Sequence, residues 1–513
     1  MQRTAELGER SSGVLLHATS LPGPFGAGDI GPSARAFAGY LAAAGQTWWQ
    51  MLPVVPPGFG ASPYDSPSSF AGSPWLVSLE DLAEDGLLTE DELGFATRAA
   101  PERADLAASA TFRESRLRLA STRCRARASE EDRAELERLR ENEPWLDGWA
   151  LFSALRRAHA GARWTEWPEP LRKRERGALA RARQEHADEI AHHEHVQLWF
   201  RRQWRRLRER CAAQGIALLG DVPMFVAHDS ADVWCNPDLF FLDAEGQRTV
   251  VAGVPPDVFS KTGQLWGNPL YRWDRMQERG FGWWLERLGV TLARFDAVRL
   301  DHFIGFHRYW EVQPDAVDAQ EGRFVEVPGD AFFLAARKAF AGLPFIAEDL
   351  GLMTDEVHAL RDRFGLPGMR VLQFAFGTDE PNDYRPHRYV RNTVVYTGTH
   401  DNDTTVAWFS KIPERERLRV MRYLGSDGRE IHWDLMRAAL ASIANLTIFP
   451  LQDALGLGGE ARMNTPATVA SNWSWRARAR ELTPELAERL RALNGLYERT
   501  PRWHAGDGAA FSR

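Results

Sequence analysis

The sequence predicts an α/β protein built on a TIM-type (β/α)8 barrel that carries two insertions. Two observations predict this fold: eight short apolar runs are spread along the 513 residues, and amphipathic stretches follow most of these runs. Alternating strands and helices indicate a parallel sheet, and eight such units favour a closed barrel over an open sheet. No G-x-G-x-x-G motif follows any run, which removes the main support for a dinucleotide-binding sheet.

Each predicted strand is a short apolar run that ends in polar residues, glycine or proline, as expected for strands buried on both faces. The eight runs are GVLLH (13–17), TWWQML (47–52), IALLGD (216–221), AVRLD (297–301), FIAED (345–349), RVLQF (370–374), TVVYT (393–397) and LTIFP (446–450). The stretches at 33–45, after the first run, and at 354–365, after the fifth, are amphipathic. Each pair of run and helix is one unit of the predicted barrel.

Two intervals between runs are too long for simple barrel units and predict insertions. About 160 residues separate the second run from the third, and residues 79–210 have a helical pattern with alternating charges. About 75 residues separate the third run from the fourth, and residues 223–294 are rich in Pro, Gly, Asn and Trp. We therefore predict a helical insertion after strand two and a rim-loop insertion, forming part of the substrate groove, after strand three. The barrel itself is expected at 1–78, 211–222 and 295–513, with a frayed C-terminal tail.

The composition excludes several classes of protein. A hydrophobic fraction of 44% and a charged fraction of 26% indicate a globular chain rather than a disordered one. The formal net charge of -7 gives no overall basic field, so we expect no nucleic-acid partner. We find no secretion signal and no apolar run long enough to cross a membrane. Three widely spaced cysteines fit reduced thiols, which predicts a cytoplasmic protein.

Three of the predicted strands deliver acidic residues to one rim. Asp301 ends the fourth strand, Glu348 lies at the end of the fifth, and Asp401 follows the seventh. Because the chemistry of a TIM barrel lies at the carboxyl ends of its strands, we expect these acids to meet. With no obvious serine or cysteine nucleophile, they favour glycosidic bond cleavage, in which one carboxylate attacks and another protonates the leaving oxygen. The third can stabilise the positive charge of the transition state.

Neighbouring residues suggest different roles for the acids. Arg299 lies two residues before Asp301 on the same strand face, where its charge would favour an ionised nucleophile. Glu348 needs the opposite environment, one that raises its pKa. A salt-bridging role is the simplest explanation of any single acid, and a metal site is a further alternative whose candidate ligands are Asp301, His302, Glu348, His400 and Asp401. No H-x-H motif follows the first strand, and no closed Cys/His ligand set is visible. Because the expected chemistry needs only carboxylates, we predict neither a catalytic metal nor an organic cofactor.

Several long motifs occur in order from one end of the chain to the other. They include GVLLHATSLPGPFGAGDIG, SPYDSPSSFAGSPWL, GDVPMFVAHDSADVW, VVAGVPPDVFSKTGQLWGNPLYRW, VRLDHFIGF, IAEDLG, YTGTHDNDT and ARMNTP. In these motifs the chain resembles the amylomaltases, the 4-alpha-glucanotransferases or disproportionating enzymes of glycoside hydrolase family 77. The resemblance implies a retaining enzyme that transfers α-1,4-glucan segments between maltooligosaccharides. An alpha-amylase-like hydrolase with the same acids stays the alternative, whereas a non-catalytic glucan-binding protein would not need all three.

The resemblance also implies roles for individual residues. Asp301 would be the nucleophile, Glu348 the general acid/base and Asp401 the stabiliser of the transition state. The residues expected to hold the sugar on the nucleophile side are Tyr64, Asp221, Arg299, His302 and His400. Those expected to line the acceptor groove are Asp257, Gln264 and Trp266, with Asn464 nearby. Asp65 and Ile304 depart from the family pattern, where Gln and often Arg stand, and they bear on chain-length preference rather than on the reaction.

Overall fold

The computed structural model describes residues 5–94, 103–127, 129–256, 260–351 and 353–500. Within these ranges twelve β-strands occur, namely β1 Ser11–Leu15, β2 Trp48–Gln50, β3 Ala217–Val222, β4 Val251–Val254, β5 Gln264–Pro269, β6 Ala297–Leu300, β7 Arg308–Val312, β8 Arg323–Glu326, β9 Phe345–Ala347, β10 Gly368–Val371, β11 Thr393–Tyr396 and β12 Leu446–Pro450. Eight of them form a closed parallel barrel in the order β1-β12-β11-β10-β9-β6-β3-β2. The predicted TIM-type barrel is therefore confirmed. The predicted frayed tail lies outside the described residues.

All eight apolar runs overlap a barrel strand, with small shifts in its bounds. β1 begins at Ser11, before the predicted start, because buried polar side chains satisfy one another there. The Ser12 hydroxyl lies 2.9 Å from both Gln46 Oε1 and Asn494 Oδ1. The strand predicted up to residue 374 ends at Val371 instead, because the chain then turns in a 3-10 helix. This turn brings the Gln373 amide to the Asp403 carbonyl oxygen at 2.9 Å.

Side chains from the strands fill the interior of the barrel, so it is a packed core rather than a channel. The side chains of Trp48, Leu219, Ile346, Met369 and Ile448 belong to this interior cluster, and each is at most 1% exposed. The core closes the barrel beneath its upper rim. Polar side chains at the carboxyl ends of the strands therefore face a cleft with a solid floor.

Helices surround the barrel in the described part of the chain. Their bounds are α1 Pro32–Ala43, α2 Leu79–Glu84, α3 Leu106–Arg127, α4 Glu130–Asn142, α5 Trp145–Ala158, α6 Glu169–Arg172, α7 Arg176–Glu185, α8 Ala187–Ala213, α9 Ala231–Cys235, α10 Trp273–Glu278, α11 Gly282–Arg294, α12 Gly329–Ala339, α13 Asp355–Arg363, α14 Thr405–Lys411, α15 Glu414–Leu424, α16 Ile431–Ala441, α17 Leu451–Ala454 and α18 Pro484–Leu496. The two amphipathic stretches of the sequence correspond to α1 and α13. No helix among the described residues has the length and apolar character needed to span a bilayer.

Helices α2 to α8 occupy the long interval between β2 and β3. α8 extends over 27 residues and packs against α3 and α5 of this interval and against α1 of the barrel. The indole of Trp204 on α8 donates to the Arg294 carbonyl oxygen at 2.9 Å, which fastens α8 to the end of α11. The division of the chain into the five predicted segments stays a prediction.

The rim insertion is more regular than its sequence predicts. β4 and β5 join β7 and β8 in a four-stranded antiparallel sheet with the order β5-β4-β7-β8. The prediction of a rim loop is wrong for residues 264–269, because Gln264 and Trp266 lie on β5. Gly, Pro and Asn occur within β4 and β5 and hide the alternation that would reveal these two strands.

The barrel closes where β1 pairs with β12, with Ser11 opposite Leu446. The guanidinium of Arg499 is fully buried below this seam and donates to carbonyl oxygens of both sides, including those of Ser11 at 2.8 Å and Asn445 at 3.1 Å. Burial and the nearby charge of Arg10 lower the pKa of Arg499 to about 9. The segment after α18 thus locks the junction of the first and last barrel strands.

Candidate active site

The three predicted catalytic acids stand at the carboxyl ends of β6, β9 and β11. Asp301 directly follows β6, and Glu348 directly follows β9. These strands pair, with Leu300 opposite Ala347, so the two acids leave adjacent strands. Asp401 follows β11, which is two positions from β9 in the barrel. The structure therefore brings all three acids to one rim, as the strand ends predict.

Arg299 connects the first acid to a buried polar chain. Its Nη2 lies 2.6 Å from Asp301 Oδ1, and its Nη1 donates to both carboxylate oxygens of Asp221 at 2.9 and 2.7 Å. The Tyr64 hydroxyl donates to Asp221 Oδ2 at 2.8 Å. Burial raises the pKa of Asp221, although the charge of Arg299 opposes this effect. Arg299 thus holds the Asp301 carboxylate directly, and Asp221 and Tyr64 hold Arg299 in turn, through charge-assisted bonds of a strong kind.

Glu348 has a different environment. Its Oε2 accepts a hydrogen bond from the backbone N–H of His302 at 2.7 Å. Burial raises the pKa of Glu348 to about 8, an effect that Arg299 opposes and the neighbouring Asp301 increases. Glu348 therefore carries a proton at neutral pH, which a general acid requires.

The structure distinguishes Glu348 from the acid that follows it in the sequence. Asp349 is only 3% exposed, and its carboxylate accepts a hydrogen bond from the Met369 backbone N–H at 2.6 Å. It also forms an ion pair with Arg361. Asp349 therefore fastens the end of β9 to β10 and α13, while Glu348 remains at the cleft.

Residues that follow β12 in the chain hold Asp401 in position. The side-chain amide of Asn464 donates to Asp401 Oδ1 at 2.6 Å, and Arg462 Nη2 donates to the Asp401 carbonyl oxygen at 2.6 Å. The Asn464 backbone N–H donates to the His400 carbonyl oxygen at 3.1 Å. The resemblance implied that Asn464 lies near the groove, whereas its direct bond to Asp401 and the part of Arg462 were not predicted. Both residues belong to the ARMNTP motif, which was the available signal.

Aromatic side chains form two walls above the acids. On one side the rings of Tyr64 and His400 stack with centroids 5.2 Å apart, and Trp473 lies 5.8 Å from Tyr64. On the other side the ring centroids of Trp266 and His302 are 4.6 Å apart. Such surfaces suit the apolar faces of sugar rings. Trp473 was not predicted, because the sequence contains 20 tryptophans and nothing separates this one from those of the core.

Gln264, His302 and Asp257 are further residues that the sequence predicts for the site. Gln264 Oε1 accepts a hydrogen bond from the Trp266 indole at 3.1 Å, so the two form one unit on β5. Burial lowers the pKa of His302 to about 4, which leaves its imidazole neutral near pH 7. Asp257 lies outside the described residues. Within the described ranges, no group of three or more His, Cys, Asp or Glu side chains could hold a metal ion.

Known proteins resemble the chain over nearly its whole length. The family model of the 4-alpha-glucanotransferases, glycoside hydrolase family 77, matches residues 16–483. The 4-alpha-glucanotransferase of Thermus thermophilus is 48% identical over 500 residues, which cover 96% of this chain and 99% of that protein. The 4-alpha-glucanotransferase of Synechocystis is 45% identical, again over 96% of this chain and 99% of the relative.

A solved structure agrees with these sequence relatives. The amylomaltase from Streptococcus agalactiae, in complex with acarbose, superposes with a TM-score of 0.93 at 36% identity, over 96% of this chain and 100% of that one. A family match that includes all three strand-end acids, together with this agreement in fold, shows that the chain is an enzyme and belongs to the 4-alpha-glucanotransferases of glycoside hydrolase family 77.

Proposed function

We propose that the enzyme transfers α-1,4-glucan segments between maltooligosaccharides by a retaining double displacement. In the first step Asp301 attacks the anomeric carbon while Glu348 gives its proton to the oxygen of the departing glucan. In the second step Glu348 takes a proton from the 4-hydroxyl of an acceptor, whose oxygen displaces Asp301 and restores the α-linkage. Asp401 stabilises the positive charge that develops on the sugar in both steps.

One observation carries this proposal: the two neighbouring carboxyl groups stand in opposite environments. Asp301 lies 2.6 Å from the guanidinium of Arg299, whereas burial raises the pKa of Glu348 to about 8. Two carboxyl groups that differ in this way divide the roles of nucleophile and acid between them. A binding protein or a metal-dependent enzyme would not need that difference.

The aromatic walls support an assignment of the two sides of the cleft. Tyr64 belongs to the chain of side chains that fixes Asp301, so the wall of Tyr64, His400 and Trp473 would hold the donor sugar. His302 bonds to Glu348 through its backbone, so the wall of Trp266 and His302 would hold the departing glucan and then the acceptor. The amylomaltase from Streptococcus agalactiae was solved in complex with acarbose, which is consistent with a glucan ligand in such a cleft.

Pure maltotriose tests the reaction. Disproportionation converts it into glucose and longer oligosaccharides while the number of reducing ends stays constant, because each bond broken is replaced by a new bond. We would measure the products by length and count reducing ends over time. A rise in reducing ends in step with consumption of maltotriose would identify a hydrolase and overturn the proposal.

We also propose that the enzyme works in the cytoplasm and without a metal. Cys124, Cys211 and Cys235 are all free thiols, as is usual in a reducing compartment. Cell fractionation with compartment markers tests the location, and enzyme found mainly outside the cytoplasm would refute it.

Prolonged dialysis against a chelator tests whether the reaction needs a metal, and it should leave the disproportionation rate unchanged. A loss of activity that one divalent ion restores would contradict the proposal of a metal-free reaction.

A further inference from the structure

A large cleft extends outward from the wall that contains Trp266. It has a volume of about 780 Å³ and lies between α5 of the helical insertion and the β5 strand. Trp149 and Phe152 line the side that α5 forms, and Trp266 and Asn268 line the side that β5 forms. Because Trp266 packs on His302 and His302 bonds to Glu348, this cleft leads away from the acid/base. In the proposed reaction an acceptor glucan would extend along it, with its reducing end pointing outward.

The arginines that line this cleft are of two kinds. Arg118, Arg156 and Arg157 form ion pairs with carboxylates: Arg118 lies 2.6 Å from Glu189, Arg157 lies 3.6 Å from the same residue, and Arg156 lies 3.2 Å from Asp229. For the other two, Arg163 and Arg248, the described residues provide no carboxylate within ion-pair distance. Among the described arginines of the cleft, this second pair is therefore the one whose positive charge has no carboxylate partner.

Contacts of neighbouring residues place the two unpaired arginines at the same part of the cleft. The ring centroid of Trp164, the residue after Arg163, lies 5.6 Å from that of His228. Arg248 Nη1 donates to the Gly267 carbonyl oxygen at 2.5 Å, which fixes its guanidinium behind the residue next to Trp266. Burial and the charge of Arg163 both lower the pKa of Arg248. His228 lines the same cleft, and its Nε2 lies 2.8 Å from the Gly246 carbonyl oxygen. Like charges held together in a partly buried cleft are unfavourable, and an anion between them removes the repulsion.

Arginine can also donate hydrogen bonds to the hydroxyl groups of a neutral sugar, but a neutral glucan does not offset two positive charges. Guanidinium groups bind phosphoryl oxygens in a planar, bidentate way, and two of them around one phosphoryl group form a strong site. We propose that Arg163 and Arg248, with His228 beside them, bind a phosphoryl group carried by the acceptor glucan. Since Trp266 stands between them and Glu348, the phosphoryl group would lie on a glucosyl unit beyond the one that receives the new bond. This inference rests on the proposed transfer reaction and adds the phosphorylated glucans to its acceptors.

The test compares two acceptors that differ in one group. A maltooligosaccharide with a phosphoryl ester on its reducing-end unit competes with the neutral oligosaccharide of the same length for a glycosyl fluoride donor. We expect the KM of the phosphorylated acceptor to be about tenfold lower, which corresponds to about 1.4 kcal/mol. The preference should shrink as ionic strength rises, because the site is partly open to solvent.

Two variants and a matched control complete the experiment. Arg163→Gln removes an exposed side chain and should lower the preference severalfold, and Arg163→Gln with Arg248→Gln should abolish it. Arg163→Gln should leave the KM and kcat for the neutral acceptor within about twofold of the parent, because this side chain forms no ion pair with a described carboxylate. Arg429→Gln, at a side chain 88% exposed, is the control and should change neither acceptor.

The outcomes separate this inference from the reaction on which it rests. Equal KM values for the two acceptors in the parent enzyme would overturn the phosphoryl site, while neutral transfer would still support the proposed function. If inorganic phosphate alone inhibits neutral transfer through the two arginines and the phosphorylated acceptor has no advantage, the site binds a free anion and the inference is wrong. Absence of transfer to the neutral acceptor would instead contradict the proposed function.

Discussion

Replacement of Glu348 by glutamine removes the proton donor while it keeps the size and polarity of the side chain. At pH 7 a carboxyl group with a pKa of about 8 is about 90% protonated, whereas one with the ordinary value of 4.5 is about 0.3% protonated. Burial therefore increases the fraction of enzyme ready to protonate the leaving glucan by roughly 300-fold. General acid catalysis contributes about 10² to 10⁴-fold, so Glu348→Gln should lose most of that factor on maltotriose.

The choice of donor distinguishes loss of the acid from loss of the fold. A glycosyl fluoride has a leaving group that needs no proton, so Glu348→Gln should still form the glycosyl enzyme from it. Added azide needs no general base, so it should release the sugar as an α-glycosyl azide. Steady-state rates with maltotriose and with the fluoride, each with and without azide, measure the formation of the glycosyl enzyme and its breakdown. A variant that keeps a tenth of the parental rate on maltotriose would refute the role of Glu348.

The pH dependence follows from the same group. Because protonated Glu348 is required and its pKa is about 8, kcat/KM on maltotriose should fall about tenfold per pH unit above that value. The free energy of unfolding should also decrease as pH rises. Because the folded state binds the Glu348 proton more tightly than the unfolded state, the contribution of this proton to stability is complete below pH 4.5 and is lost as pH rises to about 8. The Tm of Glu348→Gln relative to the parent should therefore be higher at pH 8 than at pH 5. A decline of kcat/KM that already begins near pH 5 would contradict this assignment.

Three further predictions concern the other groups. Asp301→Asn should abolish the glycosyl enzyme, so intact mass spectrometry after incubation with a glycosyl fluoride should detect no adduct, and an adduct on Asp301→Asn would exclude it as nucleophile. Asp401→Asn should lower kcat about 10³-fold with KM for maltotriose within about threefold, because its charge acts mainly on the transition state, and a change confined to KM would place it in substrate binding instead. Arg499→Met leaves several buried carbonyl groups without a donor and should cost about 3 kcal/mol in urea unfolding. The exposed control Arg429→Met should stay within about 0.5 kcal/mol, and equal effects of the two would contradict the locking role of Arg499.

The barrel was predictable because apolar runs and strand ends are local features. All eight runs overlap strands, and the rule that barrel chemistry lies at their carboxyl ends selected Asp301 and Glu348 without any contact information. The period of two also placed Arg299 beside Asp301, and the two side chains do pair. A one-dimensional pattern is enough when the signal lies within one strand.

The contacts between distant segments could not be predicted in the same way. Tyr64 bonds to Asp221 across 157 positions of the sequence, and Asn464 bonds to Asp401 across 63. Neither pair has a spacing that relates its members, because the fold alone decides that they meet. Trp473 joins the donor wall through a backbone with a φ of 60°, a conformation that propensity does not favour for tryptophan. The rim sheet was missed for a related reason, since its strands depend on pairing between β4 and β7 rather than on their own alternation.

The closing seam of the barrel has a consequence for the synthesis of this protein. β1 leaves the ribosome long before β12, its partner on one side, which follows only after roughly 430 further residues, and Arg499 comes later still. At about 5 to 20 residues per second, the interval is roughly 20 to 90 seconds. During this time one edge of β1 has no strand to pair with, and an unpaired strand edge invites association with other chains. We therefore expect the nascent chain to depend on chaperones, and slow translation of its second half to lower the yield of soluble enzyme.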